Sequence, residues 1–267
     1  MEDFDLTGVR VLVTGGTSGL GRAMAAALVA AGARVALTGR HVASAEGVAA
    51  ALGPSAIGIG MDVRDEEAVR GGVATAIDRL GGLDALVNNA GVGMRTVNPR
   101  FLVDLQPFWK VSTEGWQQVI ATNLTGYFLV AREVAPYLVA QGHGRIVNIS
   151  MNHETMRRPG FVPYGPSRAG AESLSRIMAG DLATTGVTVN ILLPGGATAT
   201  GMIPDETPGN IRERLLDPAV MGRPIVYLCS PAANDVHDER IVASRFPEWL
   251  AQRDTSSGPP GSFHAQG

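Results

Sequence analysis

The sequence predicts a single α/β domain in which a doubly wound parallel sheet carries helices on both faces. Two observations predict this fold class. Short apolar runs alternate with segments of helical periodicity over most of the chain. A glycine-rich turn joins the first apolar run to the first helical segment. The length of 267 residues suits one open sheet of this kind.

Composition limits the function classes. The chain is 45% hydrophobic and 18% charged, which is enough apolar material for one large core. A net charge of −3 gives no basic field for nucleic acid or an anionic membrane. The single cysteine, Cys229, excludes an internal disulfide and a metal site built from several cysteines. Residues 1–6 do not resemble a signal peptide, and no apolar run is long enough to span a membrane, so we expect a cytoplasmic protein.

The first predicted strand, turn and helix indicate which ligand the protein binds. Val9–Thr14 predicts a strand and Leu20–Ala31 a helix. Between them, Gly15 permits a tight turn, Gly19 lets the backbone approach a pyrophosphate, and Gly21 lets the helix lie close to the sheet. Amide groups at the helix N-terminus favour the phosphates. The segment therefore predicts a Rossmann-type dinucleotide site, with a purely structural turn as the alternative.

The remaining elements follow in alternation. Helices are indicated by 3.6-residue spacing, by Pro166 in a first turn and by closing glycines. The predicted segments are strand Arg34–Thr38, helix Val42–Ala51, strand Ala56–Met61, helix Glu66–Leu80, strand Ala85–Val87, helix Thr113–Gln141, strand Arg145–Ile149, a helix from Pro166 to about Thr184, and strand Val187–Leu192. In such a sheet, ligands bind at the carboxyl ends of the strands.

Three segments interrupt the alternation. Residues 94–110 form a loop too long for a plain connection, and such loops are usually functional or disordered. Residues 197–217 contain two prolines and predict a substrate lid over the cofactor cleft. The tail 254–267 has the composition of turns and disorder, so we expect the folded domain to span 1–253.

Six short motifs, in this order, resemble the classical short-chain dehydrogenase/reductase family over about residues 7–230. They are Thr14–Gly21, Asn88–Gly91, Asn123–Gly126, Gly144–Ser150, Tyr164–Arg168 and Pro194–Gly195. The resemblance implies hydride transfer between a nicotinamide cofactor and a small alcohol or carbonyl substrate. In that family a tyrosine is the general acid/base, a lysine four residues later supports it, and a serine and an asparagine assist.

The resemblance also implies the cofactor contacts, which fall on the glycine-rich turn, on the strand ends and on the lid. They are Gly15, Thr17, Ser18, Gly19, Leu20, Gly21, Arg40, Asp62, Val63, Asn89, Ala90, Gly91, Tyr164, Arg168, Pro194, Gly195, Thr198 and Thr200. After the second strand, where an NAD enzyme usually places a carboxylate, stand Gly39 and Arg40. A guanidinium can grip a 2′-phosphate, so we expect NADP(H), with NAD(H) as the alternative. Arg40 as an ordinary surface residue is the other interpretation.

The predicted catalytic residues include one replacement on a helix. Tyr164 precedes Pro166, so it lies at a helix N-terminus whose dipole favours the phenolate. The family's lysine is replaced by Arg168, which shares a helix face with Tyr164 and keeps a permanent charge. Asn123 matches the family's asparagine, which holds the proton-relay water. An asparagine bonding its own backbone at a helix kink is the alternative.

The second replacement concerns the serine. Family spacing puts it at Met151, which donates no hydrogen bond to a carbonyl oxygen. Ser150 is one residue earlier, and on a strand it would point to the opposite face unless the chain bulges. Asn152 or His153 could supply a donor from the following loop. For His153 the alternative is a solvated loop histidine.

We expect the substrate pocket to be mostly apolar, bordered by Met151, Asn152, His153 and Met202. Several large residues would line or roof it, with core or interface positions as the alternative. They are Met94, Phe101, Phe108, Trp109, Met151, Met156, Phe161, Met202 and Ile203.

Two function classes follow. The first is an NADP(H)-dependent dehydrogenase or reductase, which Tyr164 and Asn123 favour. The second is a degenerate member that binds the dinucleotide as a sensor or structural subunit, which Met151 and Arg168 favour. Because the family usually assembles through its long helices, we expect a homo-oligomer, either a tetramer or a dimer. We expect no metal, nucleic-acid or membrane partner.

Overall fold

The sheet defines the molecule. The computed structural model describes residues 4–204 and 206–256, and within these residues seven parallel strands form one sheet in the order β3-β2-β1-β4-β5-β6-β7. The strands are β1 (Arg10–Val13), β2 (Arg34–Gly39), β3 (Ala56–Gly60), β4 (Ala85–Asn88), β5 (Gly144–Ile149), β6 (Val187–Leu193) and β7 (Arg240–Val242). The order changes direction between β1 and β4, which opens a crevice at their carboxyl ends. The predicted doubly wound parallel sheet is confirmed.

Helices cover both faces of the sheet. They are α1 (Gly19–Ala30), α2 (Val42–Leu52), α3 (Glu66–Leu80), α4 (Thr113–Ile120), α5 (Gly126–Gln141), α6 (His153–Met156), α7 (Tyr164–Leu182), α8 (Gly209–Arg212), α9 (Gly222–Cys229) and α10 (Phe246–Ser256). Alternate residues of β1 point to opposite faces, so Val11 and Val13 join the core under α1 and α9, whereas Leu12 joins the core under α3 and α5. Each face of the sheet thus has its own apolar cluster, as expected for a parallel sheet covered on both sides.

The sequence predicts one continuous helix over residues 113–141, whereas the structure divides this stretch into three segments. A π-helical turn, Ala121–Thr125, separates α4 from α5. Such a turn inserts an extra residue and is frequent at functional sites. The helical periodicity on either side is regular, so nothing in the spacing indicated the interruption.

Two features near the C-terminal end differ from expectation. Strand β7 pairs in parallel with β6 over only three residues and was not predicted. Helix α10 runs to Ser256, which carries regular structure past the expected boundary at 254. The physical reason is that the strong helix breakers, Gly258 and Pro259, come later in the chain. The rest of the predicted tail lies outside the described residues.

The two predicted functional loops flank the crevice. Residues 94–110 contain two 3₁₀ turns, Met94–Thr96 and Phe108–Lys110. In residues 197–217, a parallel bridge between Thr198 and Leu216 brings the two ends of the segment together, and α8 lies inside it. In the part of the chain that the structure describes, no helix has both the length and the apolar character needed to cross a membrane.

Candidate active site

The glycine-rich turn is packed so closely that side chains cannot replace its glycines. Gly15 and Gly19 have φ angles of +64° and +52°, which favour glycine. A Cβ on Gly15 would lie 2.8 Å from the Cα of Ala90, and one on Gly21 would lie 2.2 Å from the carbonyl oxygen of Gly15. A Cβ on Gly19 would approach Thr200 of the 197–217 segment at 3.2 Å. The turn therefore lies between the end of β4 and that segment.

Asn89 locks this turn onto β4. Its Nδ2 donates to the carbonyl oxygens of Thr14 and Gly15 at 2.9 and 3.1 Å. The backbone N–H groups of Asn89 and Ala90 both donate to the Thr14 hydroxyl at 3.0 Å. Predicted contacts from two motifs, 74 to 76 residues apart, are thereby brought together.

The N-terminus of α1 suits an anion. Ser18 is the N-cap residue, but its side chain accepts no hydrogen bond from the first-turn amides, and the first turn carries no acidic residue. Unoccupied N–H groups and the positive end of the helix dipole are the features that bind phosphate. An open cleft of about 410 Å³ lies between Gly19 and the 197–217 segment, with Thr200, Ile203 and Leu215 in its wall. The local donor set and the glycine cradle fit a dinucleotide pyrophosphate.

Arg40 lies exposed just beyond β2. Within the described residues its guanidinium has no hydrogen-bond or ion-pair partner, while its charge acts on Asp62 at longer range. Asp62 is held by Arg64, with 2.6 Å between Nη2 and Oδ2. The hydrogen bond from Arg64 lowers the pKa of Asp62, and Arg40 adds to the effect. A Cβ on the neighbouring Gly39 would lie 2.5 Å from the side chain of Thr17, which would have to shift to admit it.

Tyr164 and Arg168 lie one turn apart at the start of α7. Tyr164 is the first residue of the helix, as predicted, and Arg168 is buried at 3% exposure. The Arg168 Cζ lies 5.5 Å from the centre of the Tyr164 ring, within the range of a cation–π contact. Its Nη1 donates to the hydroxyl of Tyr127 at 2.6 Å and to the carbonyl oxygen of Ile149 at 2.9 Å. A buried cation therefore lies directly against the predicted acid/base.

Tyr127, which sequence reasoning missed, is the second phenol on Arg168. It is 2% exposed, and burial raises the pKa of its hydroxyl, an effect that Arg168 only partly opposes. Burial by itself would lower the pKa of Arg168, but charge interactions with Tyr127 and Tyr164 hold it above its ordinary value. Tyr127 follows the Asn123–Gly126 motif directly, and this adjacency was the only signal in the sequence.

Asn123 joins β4 to α7. Its Oδ1 accepts from the N–H of Val92 at 2.8 Å, and its Nδ2 donates to the carbonyl oxygen of Val92 at 2.9 Å and to the Ser167 hydroxyl at 3.2 Å. Ser167 in turn donates to the carbonyl oxygen of Tyr164 at 2.8 Å. The side chain bonds a neighbouring segment rather than its own backbone, so it fixes the surroundings of Tyr164 from the π-helical turn.

Ser150 is bound to a carboxylate of α7. Its hydroxyl donates to Oε1 of Glu172 at 2.6 Å. Arg240 Nε also donates to both Glu172 oxygens, at 3.0 and 3.1 Å, and its Nη2 donates to the carbonyl oxygen of Met151 at 2.8 Å. The ring of His153 lies with Nε2 3.0 Å from Glu172 Oε2. The loop after β5 is therefore fastened to α7 and β7.

Glu172 binds three side chains, those of Ser150, His153 and Arg240, yet it was missed in the sequence. Burial would raise its pKa, but hydrogen bonds from Arg240, Ser150 and His153 hold it below its usual range. Its place four residues after Arg168 would have suggested a helix ion pair with that residue. The structure pairs it instead with Arg240 of β7, a contact that no local spacing could indicate.

The apolar residues around Tyr164 divide into two sets. Met94, Phe101, Met151, Met156 and Phe161 form one buried cluster against which Tyr164 packs. Phe108 and Trp109 lie outside it and are 66% and 71% exposed. Met202 lies against Gly93, where a Cβ would approach its Sδ at 3.2 Å.

The remaining predicted residues lie near the same strand ends. Asn152 donates from Nδ2 to the carbonyl oxygen of Gly195 at 3.0 Å, so its amide is not directed freely at a substrate. Val63 lies against the start of α5, where a Cβ on Gly126 would approach its Cγ2 at 2.8 Å. Among the described residues there is no group of three or more metal-ligating side chains.

Known proteins are similar to this chain over most of its length. The family model for short chain dehydrogenases matches residues 9–210. The chain is 34% identical over 195 residues to gluconate 5-dehydrogenase of Gluconobacter oxydans, covering 72% of each protein. It is 33% identical to 3-oxoacyl-(acyl-carrier-protein) reductase of Aquifex aeolicus, covering 90% of this chain and 97% of the relative. Among solved structures, 3-ketoacyl-(acyl-carrier-protein) reductase of Brucella melitensis complexed with NADH matches at 28% identity with a TM-score of 0.79, covering 89% and 97% of the two chains.

Proposed function

Because this chain belongs to the short-chain dehydrogenase/reductase family of NAD(P)-dependent oxidoreductases, we propose that it transfers a hydride between NADP(H) and a small alcohol or carbonyl substrate. The observation that carries the proposal is the contact between Tyr164, at the N-terminus of α7, and the buried guanidinium of Arg168. This pair lies beside the strand ends that adjoin the glycine-rich turn. The intact cradle and a charged partner for the phenol are the two requirements of the reaction.

The dinucleotide would be held by the turn 14–21, by the Asn89–Gly91 segment and by the 194–200 segment. When bound, it supplies or accepts the hydride. In the reductive direction Tyr164 gives its hydroxyl proton to the carbonyl oxygen, and in the oxidative direction the phenolate takes the proton from the alcohol. The permanent charge of Arg168 favours the phenolate, as a neighbouring cation favours any anion.

Asn123 maintains the geometry in this scheme. Both amide hydrogens of its side chain are used by Val92 and Ser167. Any ordering of a relay water would therefore fall to its carbonyl groups, which keep acceptor capacity. Ser150 has no part in the proposed reaction because Glu172 binds its hydroxyl.

Tyr164 then polarises the substrate oxygen without a serine beside it. Met151, at the family's serine position, has no donor, and the amide of Asn152 is engaged by Gly195. Removal of one donor to a developing oxyanion slows enzymes by about 10²–10³-fold, so we expect slow turnover relative to family members that keep the serine.

Arg40 supports the choice of NADP(H). It follows β2 at the place where a 2′-phosphate would lie, and in the described part of the chain no protein group neutralises it through a hydrogen bond or ion pair. Arginine binds phosphate bidentately, whereas the 2′-hydroxyl of NAD(H) offers it no charge.

The substrate class and assembly are proposed from neighbouring surfaces. Met94, Phe101 and Met151 give the wall beside Tyr164 an apolar character, so we infer a substrate with an apolar group next to its carbonyl. Large apolar side chains are exposed on the long helices, with Phe128 on α5 at 42% and Ile177 on α7 at 57%. Their burial between copies of the chain would complete a homo-oligomer, which is how we interpret them.

A second candidate function is a member that binds the dinucleotide and turns over little. The specific observation in its favour is the loss of both family partners of the tyrosine, with Met151 in one place and Ser150 bound to Glu172. Such a protein would act as a dinucleotide sensor or structural subunit.

One experiment separates the two functions. The affinity for NADPH and NADH is measured by fluorescence, and oxidation of each is followed over a panel of ketones, aldehydes and diketones. The first function predicts tighter binding of NADPH than NADH and turnover of at least one carbonyl. Tight NADPH binding without turnover on the whole panel would favour the second. Equal affinity for the two nucleotides would overturn the role of Arg40.

A further inference from the structure

Tyr127 lies against Arg168, the buried cation that adjoins Tyr164. It is the second residue of α5, directly after the π-helical turn, and its hydroxyl is buried between Arg168 and the end of β5. That hydroxyl accepts from Arg168 Nη1 and donates to the carbonyl oxygen of Ile149 at 3.1 Å. The Arg168 Cζ lies 5.4 Å from the centre of the Tyr127 ring. The Arg168 guanidinium thus contacts two phenol rings, that of Tyr127 and that of the proposed acid/base Tyr164.

We propose that Tyr127 is a positioning residue, which fixes one arm of the Arg168 guanidinium so that the other arm faces the dinucleotide cleft beside Tyr164. This inference rests on the proposed function. It concerns a contact within this chain, between Arg168 in α7, the helix of the acid/base, and Tyr127 in α5.

The geometry of arginine explains why a partner is needed. A lysine presents one rotatable nitrogen, whereas a guanidinium is a rigid planar fork with five N–H donors. Once Nη1 is bound by Tyr127 and Ile149, the plane of the fork is set. The Nη2 arm then lies against Gly91 at the end of β4, where a Cβ would be only 2.4 Å from it. A larger residue at position 91 would displace that arm, so its position depends on Gly91.

A purely structural role for Tyr127 makes different predictions. As a buried side chain it could act by packing and by its hydrogen bond to Ile149 alone. Replacement of Tyr127 would then destabilise the fold, and it would lower kcat by the same factor whether residue 168 is arginine or lysine. A positioning role requires that its effect pass through the guanidinium.

The test is a double-mutant cycle between Tyr127→Phe and Arg168→Lys, with Tyr137→Phe on the same helix as the matched control. Loss of one hydrogen bond to a charged group should lower kcat by roughly 10- to 100-fold in Tyr127→Phe. In the Arg168→Lys background the same change should have an effect of less than about threefold, because no fork remains to be fixed.

A second measurement, the affinity for NADPH, does not depend on turnover. The Kd for NADPH is measured for the same four proteins by fluorescence, and Tyr127→Phe should raise it in the wild-type background while leaving it unchanged on Arg168→Lys. If the wild type binds NADPH but reduces nothing, the proposed function fails while this cycle still tests the pair. Equal losses of kcat or of NADPH affinity in both backgrounds would overturn the positioning role. An effect of Tyr137→Phe as large as that of Tyr127→Phe would do the same.

Discussion

Arg168 is a buried cation whose hydrogen bonds go to a phenol and a backbone carbonyl. No carboxylate of the described residues binds it in the hydrogen bonds and ion pairs of the site. Burial of a charge is unfavourable, and replacement of such a group by an apolar side chain of similar volume is often neutral or stabilising. The cost of burying Arg168 offsets much of what its hydrogen bonds contribute to stability, so its place beside the acid/base indicates a role in the reaction.

Arg168→Met should affect activity far more than stability. We expect the free energy of unfolding to change little, because removal of the desolvation penalty offsets the loss of the hydrogen bonds to Tyr127 and Ile149. The rate of carbonyl reduction should fall by at least about 10²-fold, because the cation that favours the phenolate is lost. Denaturant unfolding and steady-state kinetics on the same preparation measure both. A variant that unfolds more easily and keeps its activity would mean that the cation serves the fold.

Glu172 gives a pH-dependent prediction. Its pKa is held down by Arg240, Ser150 and His153, so it contributes stability above its unfolded-state pKa, and that stability is lost as the pH falls through the lower folded-state pKa. Glu172→Gln should therefore lower the free energy of unfolding by roughly 1–3 kcal/mol at about pH 7. The difference from wild type should shrink toward acid pH, where the wild-type carboxylate is also protonated. Urea unfolding across a pH series measures it, and a difference that stays constant down to about pH 3 would contradict the assignment.

At the scale of elements, the strand–turn–helix unit of β1 and α1 depends on close backbone contact. A Cβ on Gly21 would lie 2.2 Å from the Gly15 carbonyl oxygen and 2.4 Å from Asn89 Nδ2. These are fixed groups that hold the turn against β4, so the turn must shift to admit a methyl group.

Gly21→Ala should accordingly weaken NADPH binding by roughly tenfold or more, since about 1.4 kcal/mol of distortion at the phosphate cradle has that effect. The matched control is Gly180→Ala in α7, where a Cβ would meet nothing within 4 Å. There alanine should leave the Kd unchanged and raise stability by up to ~1 kcal/mol through its helix propensity. NADPH fluorescence titration and thermal unfolding of both variants are the measurements, and equal Kd values would show that the cradle is looser than the contacts indicate.

The elements also show what the sequence could and could not predict. Apolar periodicity was sufficient for six of the seven described strands and for the long helices, and the predicted sheet and family are confirmed. The π-helical turn at 121–125 was not predictable, because both flanking helices keep regular spacing. Strand β7 was missed because three residues give too short a pattern to detect.

At the scale of the whole molecule, the unpredicted site contacts are those between distant segments. Tyr127 bonds Arg168 across 41 positions of the chain, and Glu172 bonds Arg240 across 68. Within one helix or strand, the repeat of 3.6 or 2 residues shows which side chains are neighbours. Sequence spacing does not show which side chains of two different elements are in contact. The motif residues Tyr164, Arg168 and Asn123 could be named from the sequence, whereas the groups that hold them required the fold.

Cys229 tests the integrity of the whole core. It lies fully buried at the end of α9, and burial raises the pKa of its thiol to about 12. The thiolate is the reactive form, so the folded protein should not react with a thiol reagent at about pH 8. Labelling should occur only at the rate of unfolding and become complete in denaturant. Rapid labelling of the native protein would show that the core under α9 opens readily.

The central claim is that Tyr164 transfers the proton while Arg168 replaces the lysine of the family. The measurement that tests it most directly is the rate of NADPH oxidation by Tyr164→Phe, with the best carbonyl substrate of the wild type and with NADPH affinity measured in parallel. We predict a fall in kcat of at least about 10²-fold with an unchanged Kd for NADPH, because phenylalanine keeps the ring but removes the proton. Turnover by Tyr164→Phe at the wild-type rate would show that the proton comes from another group and that the catalytic assignment is wrong.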